Sequence, residues 1–107
     1  KVEKNKEEIK GFKLNQNYPN PFNPTTTISY DLPGEASVEV KIYDIIGNEV
    51  RTFSFNSQTS GYHNLMWDGR NSYNQTVSSG TYIYRLKAVS AEGRKTFERS
   101  SKMLLLK

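Results

Sequence analysis

His63 is the only imidazole in a chain of 107 residues that contains no cysteine. Nucleophilic catalysis of the triad kind needs a base poised beside a hydroxyl or thiol. His63 instead sits in register with Leu65 and Trp67, where period-two alternation makes it a packed or edge side chain of a strand. The acids are scattered, and no local pair is spaced for complementary acid and base roles. The run Asp68-Gly69-Arg70-Asn71-Ser72-Tyr73-Asn74 offers oxygen ligands and the outline of a calcium loop, yet lacks the alternating acids and closing glutamate of an EF-hand. Asp68 and Asn71 are therefore expected to bond to loop backbone as Asx turns. Tyr43, Tyr73 and Ile83 could supply an outer-face stacking platform like those of carbohydrate-binding modules. The chain reads as a non-enzyme that uses no metal and no cofactor.

Composition narrows the architecture that carries these residues. Aromatics are 12% of the chain, mostly Tyr and Phe, which suit half-buried strands better than helices. The length fits one compact domain. Without cysteine there is neither a disulfide framework nor a thiolate metal site, so packing alone must hold it. No apolar run approaches the roughly 18–20 residues of a membrane span. Lys1-Val2-Glu3-Lys4 does not open a secretory leader, so a soluble piece of a longer chain is expected. The net charge of +4 comes from 15 basic and 11 acidic residues spread along the sequence, with Arg94, Lys95, Arg99, Lys102 and Lys107 gathered late. A nucleic-acid partner would need a denser basic stripe faced by stacking aromatics. Guarding of an edge strand, or weak attraction to an anionic surface polymer, accounts for the charge.

Read in order, residues 1–11 are a charged linker and residues 12–107 the domain. Phe12 and Leu14 open a short strand. Tyr18-Pro19-Asn20-Pro21-Phe22-Asn23-Pro24 is a stiff extended turn, because proline fixes φ and lacks an N–H, and Tyr18 and Phe22 are expected to pin it to the sandwich end. Ile28, Tyr30 and Leu32 share one strand face, and Val38, Val40 and Ile42 the next. Asp44 to Val50 turns through Gly47-Asn48 into a returning strand with Phe53 and Phe55. The strands Gly61–Gly69 and Gly80–Ala88, joined by a polar loop in which Val77 can tuck back, are expected to form the middle of the fold, with Trp67 facing Tyr82, Tyr84 and Leu86 across the core. The last strand carries Phe97 and ends in Met103-Leu104-Leu105-Leu106, with a bulge expected at Ser100-Ser101. The sum is an all-β, immunoglobulin-like β-sandwich of about seven antiparallel strands.

Motif order carries more than periodicity. Tyr18-Pro19-Asn20-Pro21-Phe22-Asn23-Pro24, then Thr27-Ile28-Ser29-Tyr30, Val40-Lys41-Ile42-Tyr43-Asp44 with Gly47 and Val50, Trp67-Asp68-Gly69, Ser79-Gly80-Thr81-Tyr82, and terminal Lys102-Met103-Leu104-Leu105-Leu106-Lys107 together resemble a C-terminal sorting domain of the type IX secretion system. The type A subfamily, similar to the immunoglobulin-like domain of the flagellar hook-capping protein, is the nearest pattern. Where that family has an acid and a glycine, this chain has Asn71 and Asn74, and asparagine tolerates the left-handed conformation.

The resemblance implies a non-catalytic signal that takes an N-terminal cargo domain through periplasm and outer membrane by the type IX translocon. A sortase-like peptidase would then cut in the linker at or before Lys1 to Gly11 and attach the cargo to an anionic lipopolysaccharide, placing it outside the cell or on its surface. It further implies recognition at Lys102, Met103, Leu104, Leu105, Leu106 and Lys107. Docking would be by edge pairing, with Met103 and Leu105 or Leu104 and Leu106 as anchors and Lys102 and Lys107 as selectors. Pro19, Pro21, Phe22, Asp44, Gly47, Trp67, Asp68, Gly69, Gly80 and Tyr82 would form the structural motif. Open edges also allow a weak edge-strand dimer. The rival reading is an immunoglobulin-like accessory or carbohydrate-binding module of a secreted enzyme.

Overall fold

The computed structural model describes residues 9–107, so most of the expected linker lies outside the described residues. Among the described residues seven strands form: β1 (Lys13–Leu14), β2 (Thr26–Leu32), β3 (Ala36–Tyr43), β4 (Glu49–Gln58), β5 (Gly61–Trp67), β6 (Gly80–Ser90) and β7 (Thr96–Leu105). They make two antiparallel sheets, one ordered β1-β2-β5 and the other β4-β3-β6-β7. The chain changes sheet after β2, after β4 and after β5, which gives the immunoglobulin-like sandwich expected from the alternation.

Period-two patterning decides which faces meet. Ile28, Tyr30 and Leu32 of β2 and Trp67 of β5 lie against Val38, Val40 and Ile42 of β3, Tyr82, Tyr84, Leu86 and Ala88 of β6, and Met103 and Leu105 of β7, all buried. Val77 folds back onto this core as expected, held by Val77 N donating to the Gly69 carbonyl at 3.0 Å. The β3–β4 turn closes on Asp44, whose carboxylate accepts from the Ile46 and Asn48 amides at 3.1 and 2.8 Å, with Gly47 at φ 95°.

Four expectations need correction. The Trp67 strand is not the middle of its sheet: β5 is an edge strand, and β3 and β6 are the central pair of the larger sheet. Alternation reports which face is buried but not which neighbour pairs. Tyr18 is 80% exposed and pins nothing to the core, whereas Phe22 is buried. There is no bulge at Ser100-Ser101, since the β6–β7 register runs unbroken from Gly80 opposite Leu105 to Val89 opposite Thr96. Phe97, Met103 and Leu105 keep one parity, and the consecutive leucines only masked it. The register shifts fall instead between β3 and β4, at Ala36/Val38 and Ile42/Tyr43. The fourth concerns the free edge of β7.

Candidate functional site

The proline block is the piece that joins the two sheets. Tyr18 bridges Thr27 of β2 while Phe22 bridges Leu105 of β7, so the run crosses the sandwich side from the smaller sheet to the larger one. Extended proline geometry suits this path, which follows two edges without needing a donor at every residue. Asn17 is the buried peg at its start. Its amide nitrogen donates to the Pro19 carbonyl at 3.2 Å and to Thr26 Oγ1 at 2.9 Å, and its backbone N–H donates to the Tyr84 hydroxyl at 2.9 Å. That hydroxyl donates in turn to the Asn15 carbonyl at 2.8 Å, so a core tyrosine fixes the entry to the block.

The same block covers the terminal strand. Gln16 Nε2 donates to the Lys102 carbonyl at 2.8 Å, and Leu104 N–H donates to Asn20 Oδ1 at 3.0 Å. Phe22 N–H donates to the Leu104 carbonyl and Leu106 N–H to the Phe22 carbonyl, both at 3.0 Å. Lys107 N–H donates to Ser79 Oγ at 2.9 Å. Edge pairing of a receptor strand along Leu104–Leu106, which the sequence suggested, therefore has no free edge to use. Met103 and Leu105 are spent in the domain's own core. What the end of the chain displays outward is Lys102, Leu104, Leu106 and Lys107, of which Leu104 is half-buried and the others exposed.

Beneath this end, residues far apart in sequence converge. Trp67 meets the Phe22 ring at 5.7 Å and the Tyr82 ring edge-on at 5.4 Å, and its indole N–H donates to the Arg70 carbonyl at 2.9 Å. Asp68 accepts from the Arg70 amide at 3.2 Å and lies 3.6 Å from the Arg51 guanidinium. Gly69 has φ 75°, and a Cβ there would sit 3.1 Å from the Pro24 carbonyl oxygen, so both the backbone and the space call for glycine. Gly80 faces Leu105 across the ladder. Tyr82 donates to the Ser78 carbonyl at 2.6 Å, and burial together with the nearby Asp44 carboxylate raises its phenol above the ordinary value. Pro19 contributes its carbonyl as an acceptor for Asn17 and Thr26, while Pro21 stands exposed between Asn20 and Phe22. Phe22, Trp67, Asp68, Gly69, Gly80 and Tyr82 thus lie together at the end of the sandwich where β7 finishes.

Sequence reasoning missed Asn15, Gln16, Asn17 and Tyr84 as parts of this construction. The signal was present as three consecutive amide-bearing residues directly before the proline run, where each can satisfy backbone that proline leaves unpaired.

The chemistry-bearing candidates stay apart. His63 Nε2 lies 2.7 Å from the Thr59 carbonyl oxygen, and the ring stacks on Tyr30 at 5.5 Å. In the Asp68–Asn74 loop, Asn71 Oδ1 accepts from the Tyr73 and Gln75 amides at 2.9 and 3.0 Å, the expected Asx geometry, and Asn74 takes φ 63°. Among the described residues no three His, Cys, Asp or Glu side chains gather as a metal-binding group. Tyr43 and Ile83 are register partners, with the Arg85 guanidinium 5.5 Å from the Tyr43 ring centre, while Tyr73 stands exposed on the loop.

Comparison with known proteins places this geometry. The family model described as the FlgD Ig-like domain matches residues 16–92. No curated protein matches the sequence. Among solved structures, dimeric latent PorU from Porphyromonas gingivalis is similar with a TM-score of 0.72 and 20% identity, over 92% of this chain and 10% of that one. FlgD from P. aeruginosa is similar at 0.62 and 28% identity, over 75% of this chain and 60% of that one. PorZ from Porphyromonas gingivalis, described as an essential bacterial surface component of the type-IX secretion system, is similar at 0.50 and 20% identity, over 96% of this chain and 12% of that one. This chain therefore spans a small part of PorU and PorZ and under two thirds of FlgD, and the likeness to PorU and PorZ is one of fold.

Proposed function

The chain belongs to the FlgD Ig-like domain family, and we propose that it is a non-catalytic C-terminal secretion signal, which directs an N-terminal cargo across the outer membrane by the type IX system. The cargo would end outside the cell or on its surface, released by a sortase-like peptidase cutting in the linker at or before Lys1 to Gly11, with residues 12–107 as the sorting domain. One observation carries the reading. The last strand is locked into the fold through Met103 and Leu105 and through the Gln16, Asn20 and Phe22 contacts, so Lys102, Leu104, Leu106 and Lys107 are held in fixed positions on the surface. A rigid display lowers the ordering cost of recognition by a receptor. Leu104 and Leu106 are the apolar anchors left to a partner, and Lys102 and Lys107, which make no ion pair among the described residues, are the selectors.

The test is transfer. Residues 1–107 fused behind a periplasmic reporter should bring the reporter to the medium or the surface of a host with this translocon, and not of the same host with the translocon deleted. A reporter that leaves both hosts equally, or neither, refutes the proposal.

A further inference from the structure

Exposed apolar side chains gather at one end of the sandwich. Ile45, Ile46, Tyr73 and Leu106 stand there on turns or just beyond β7, with Ile46 80% and Tyr73 83% exposed. Residues 33–35 and 91–95, which lie at the opposite end, expose no large apolar side chain. The registers bring the four residues to a common end. Tyr43, where β3 finishes, lies opposite Ile83 near the start of β6, and Gly80 at that start lies opposite Leu105. Ser72 N–H donates to the Val50 carbonyl at 3.0 Å, which sets Tyr73 beside the base of the turn over residues 44–48.

Turn tips ordinarily carry Gly, Asn, Asp, Ser or Pro. Here two adjacent isoleucines occupy the tip and stay outside the core cluster. The backbone beneath them is suited to a medium without water. The Asp44 carboxylate accepts from the Ile46 and Asn48 amides at 3.1 and 2.8 Å, and the Asp44 carbonyl accepts from Gly47 N–H at 3.1 Å. Asp44 N–H donates in turn to the Asn48 carbonyl at 2.9 Å. Backbone that satisfies itself in this way enters an apolar phase without losing hydrogen bonds. Charge points the same way. Glu49 is held by Lys41 at 3.5 Å and Asp68 by Arg51 at 3.6 Å, whereas Lys102 and Lys107 make no ion pair among the described residues. A protein partner would have to offer a separate recess to each of these projecting tips, while a fluid surface yields to all of them.

We propose that this end of the domain docks on an anionic lipid surface. Ile45 and Ile46 enter the acyl boundary, Tyr73 and Leu106 lie at the headgroup level, and Lys102 and Lys107 meet the lipid phosphates. Tyrosine favours that depth, and aliphatic insertion adds to the attraction of basic side chains for anionic lipid. The inference is independent of the sorting role, because it turns on Ile45 and Ile46.

Co-sedimentation of the 107-residue chain with lipid vesicles tests it. The chain should sediment with vesicles of phosphatidylcholine and phosphatidylglycerol in equal parts, and far less with phosphatidylcholine alone. Ile45→Ser with Ile46→Ser should lower the partition at least about tenfold, and Ile45→Leu with Ile46→Leu should retain it. Lys102→Gln and Lys107→Gln should each lower binding to the anionic vesicles about fivefold. All of these positions are exposed, so urea unfolding followed at Trp67 should give wild-type midpoints for every variant. A wild-type chain left in the supernatant with anionic vesicles overturns the proposal, as does a folded serine variant that binds them like wild type. Self-association that the serine pair abolishes, without vesicle binding, would assign the tip to a protein contact and overturn it equally.

Discussion

Replacing Phe22 by alanine separates the clasp from the mere presence of a proline turn. The ring is buried, packs on Trp67, and belongs to the same core cluster as Met103 and Leu105, while its backbone bonds to Leu104 and Leu106 do not depend on the side chain. Truncating a buried phenylalanine costs about 3–5 kcal/mol, against a total stability of about 5–15 kcal/mol for a domain of this size. With a urea m-value of about 1.5 kcal/mol/M, the midpoint should fall by about 2–3 M. Trp67 is the only tryptophan and is fully buried, so its fluorescence follows the transition directly. Tyr18→Ala is the matched control: the side chain is 80% exposed, and its loss should cost no more than about 0.5 kcal/mol. Equal midpoints for Phe22→Ala and Tyr18→Ala would refute the reasoning that the block is nailed down by one ring and not by two.

Further outcomes follow from single contacts. Gly69→Ala should cost about 2 kcal/mol by thermal unfolding, from left-handed strain and crowding on the Pro24 carbonyl. Gly47→Ala, with open space at its Cβ, should cost only the conformational part, about 1 kcal/mol. Tyr84→Phe removes the partner of Asn17 N–H and of the Asn15 carbonyl, and should cost about 2 kcal/mol while speeding hydrogen exchange at the Leu106 amide. Burial raises the Tyr30 phenol, partly offset by its Gln58 hydrogen bond, and burial with Asp44 raises Tyr82. The unfolded chain releases these protons first, so the stability they contribute is whole below about pH 10 and is lost as pH rises toward the folded-state values, which urea midpoints taken between pH 8 and 11 will show.

Much of this architecture was legible because alternation is a direct record of burial. The parities of Ile28, Val40, Trp67 and Tyr84 in the sequence are those of the core. What period two does not encode is which strand lies beside which, so the alternation of β5 suits a central strand as well as the edge at which it stands. Side-chain type misled at Tyr18: an aromatic next to proline suggests a peg, yet the peg is Asn17, whose small amide reaches two acceptors inside the turn. The covered edge of β7 was invisible for a similar reason, since it arises from long-range bonds between Gln16, Asn20 and Phe22 and a strand more than eighty residues later. The Asx loop at Asn71, by contrast, is local chemistry, and the sequence disclosed it.

In the proposed function a folded end displays four side chains to a receptor. Deleting Lys102–Lys107 would not test it cleanly, because Met103 and Leu105 are buried core residues whose loss would destabilise the fold. The direct measurement is export of a reporter fusion carrying Lys102→Gln, Leu104→Ser, Leu106→Ser and Lys107→Gln together, with Trp67 fluorescence verifying that the domain is folded. Retention of the reporter inside cells that export the wild-type fusion is the predicted result, and export at the wild-type level by the folded variant would contradict the account.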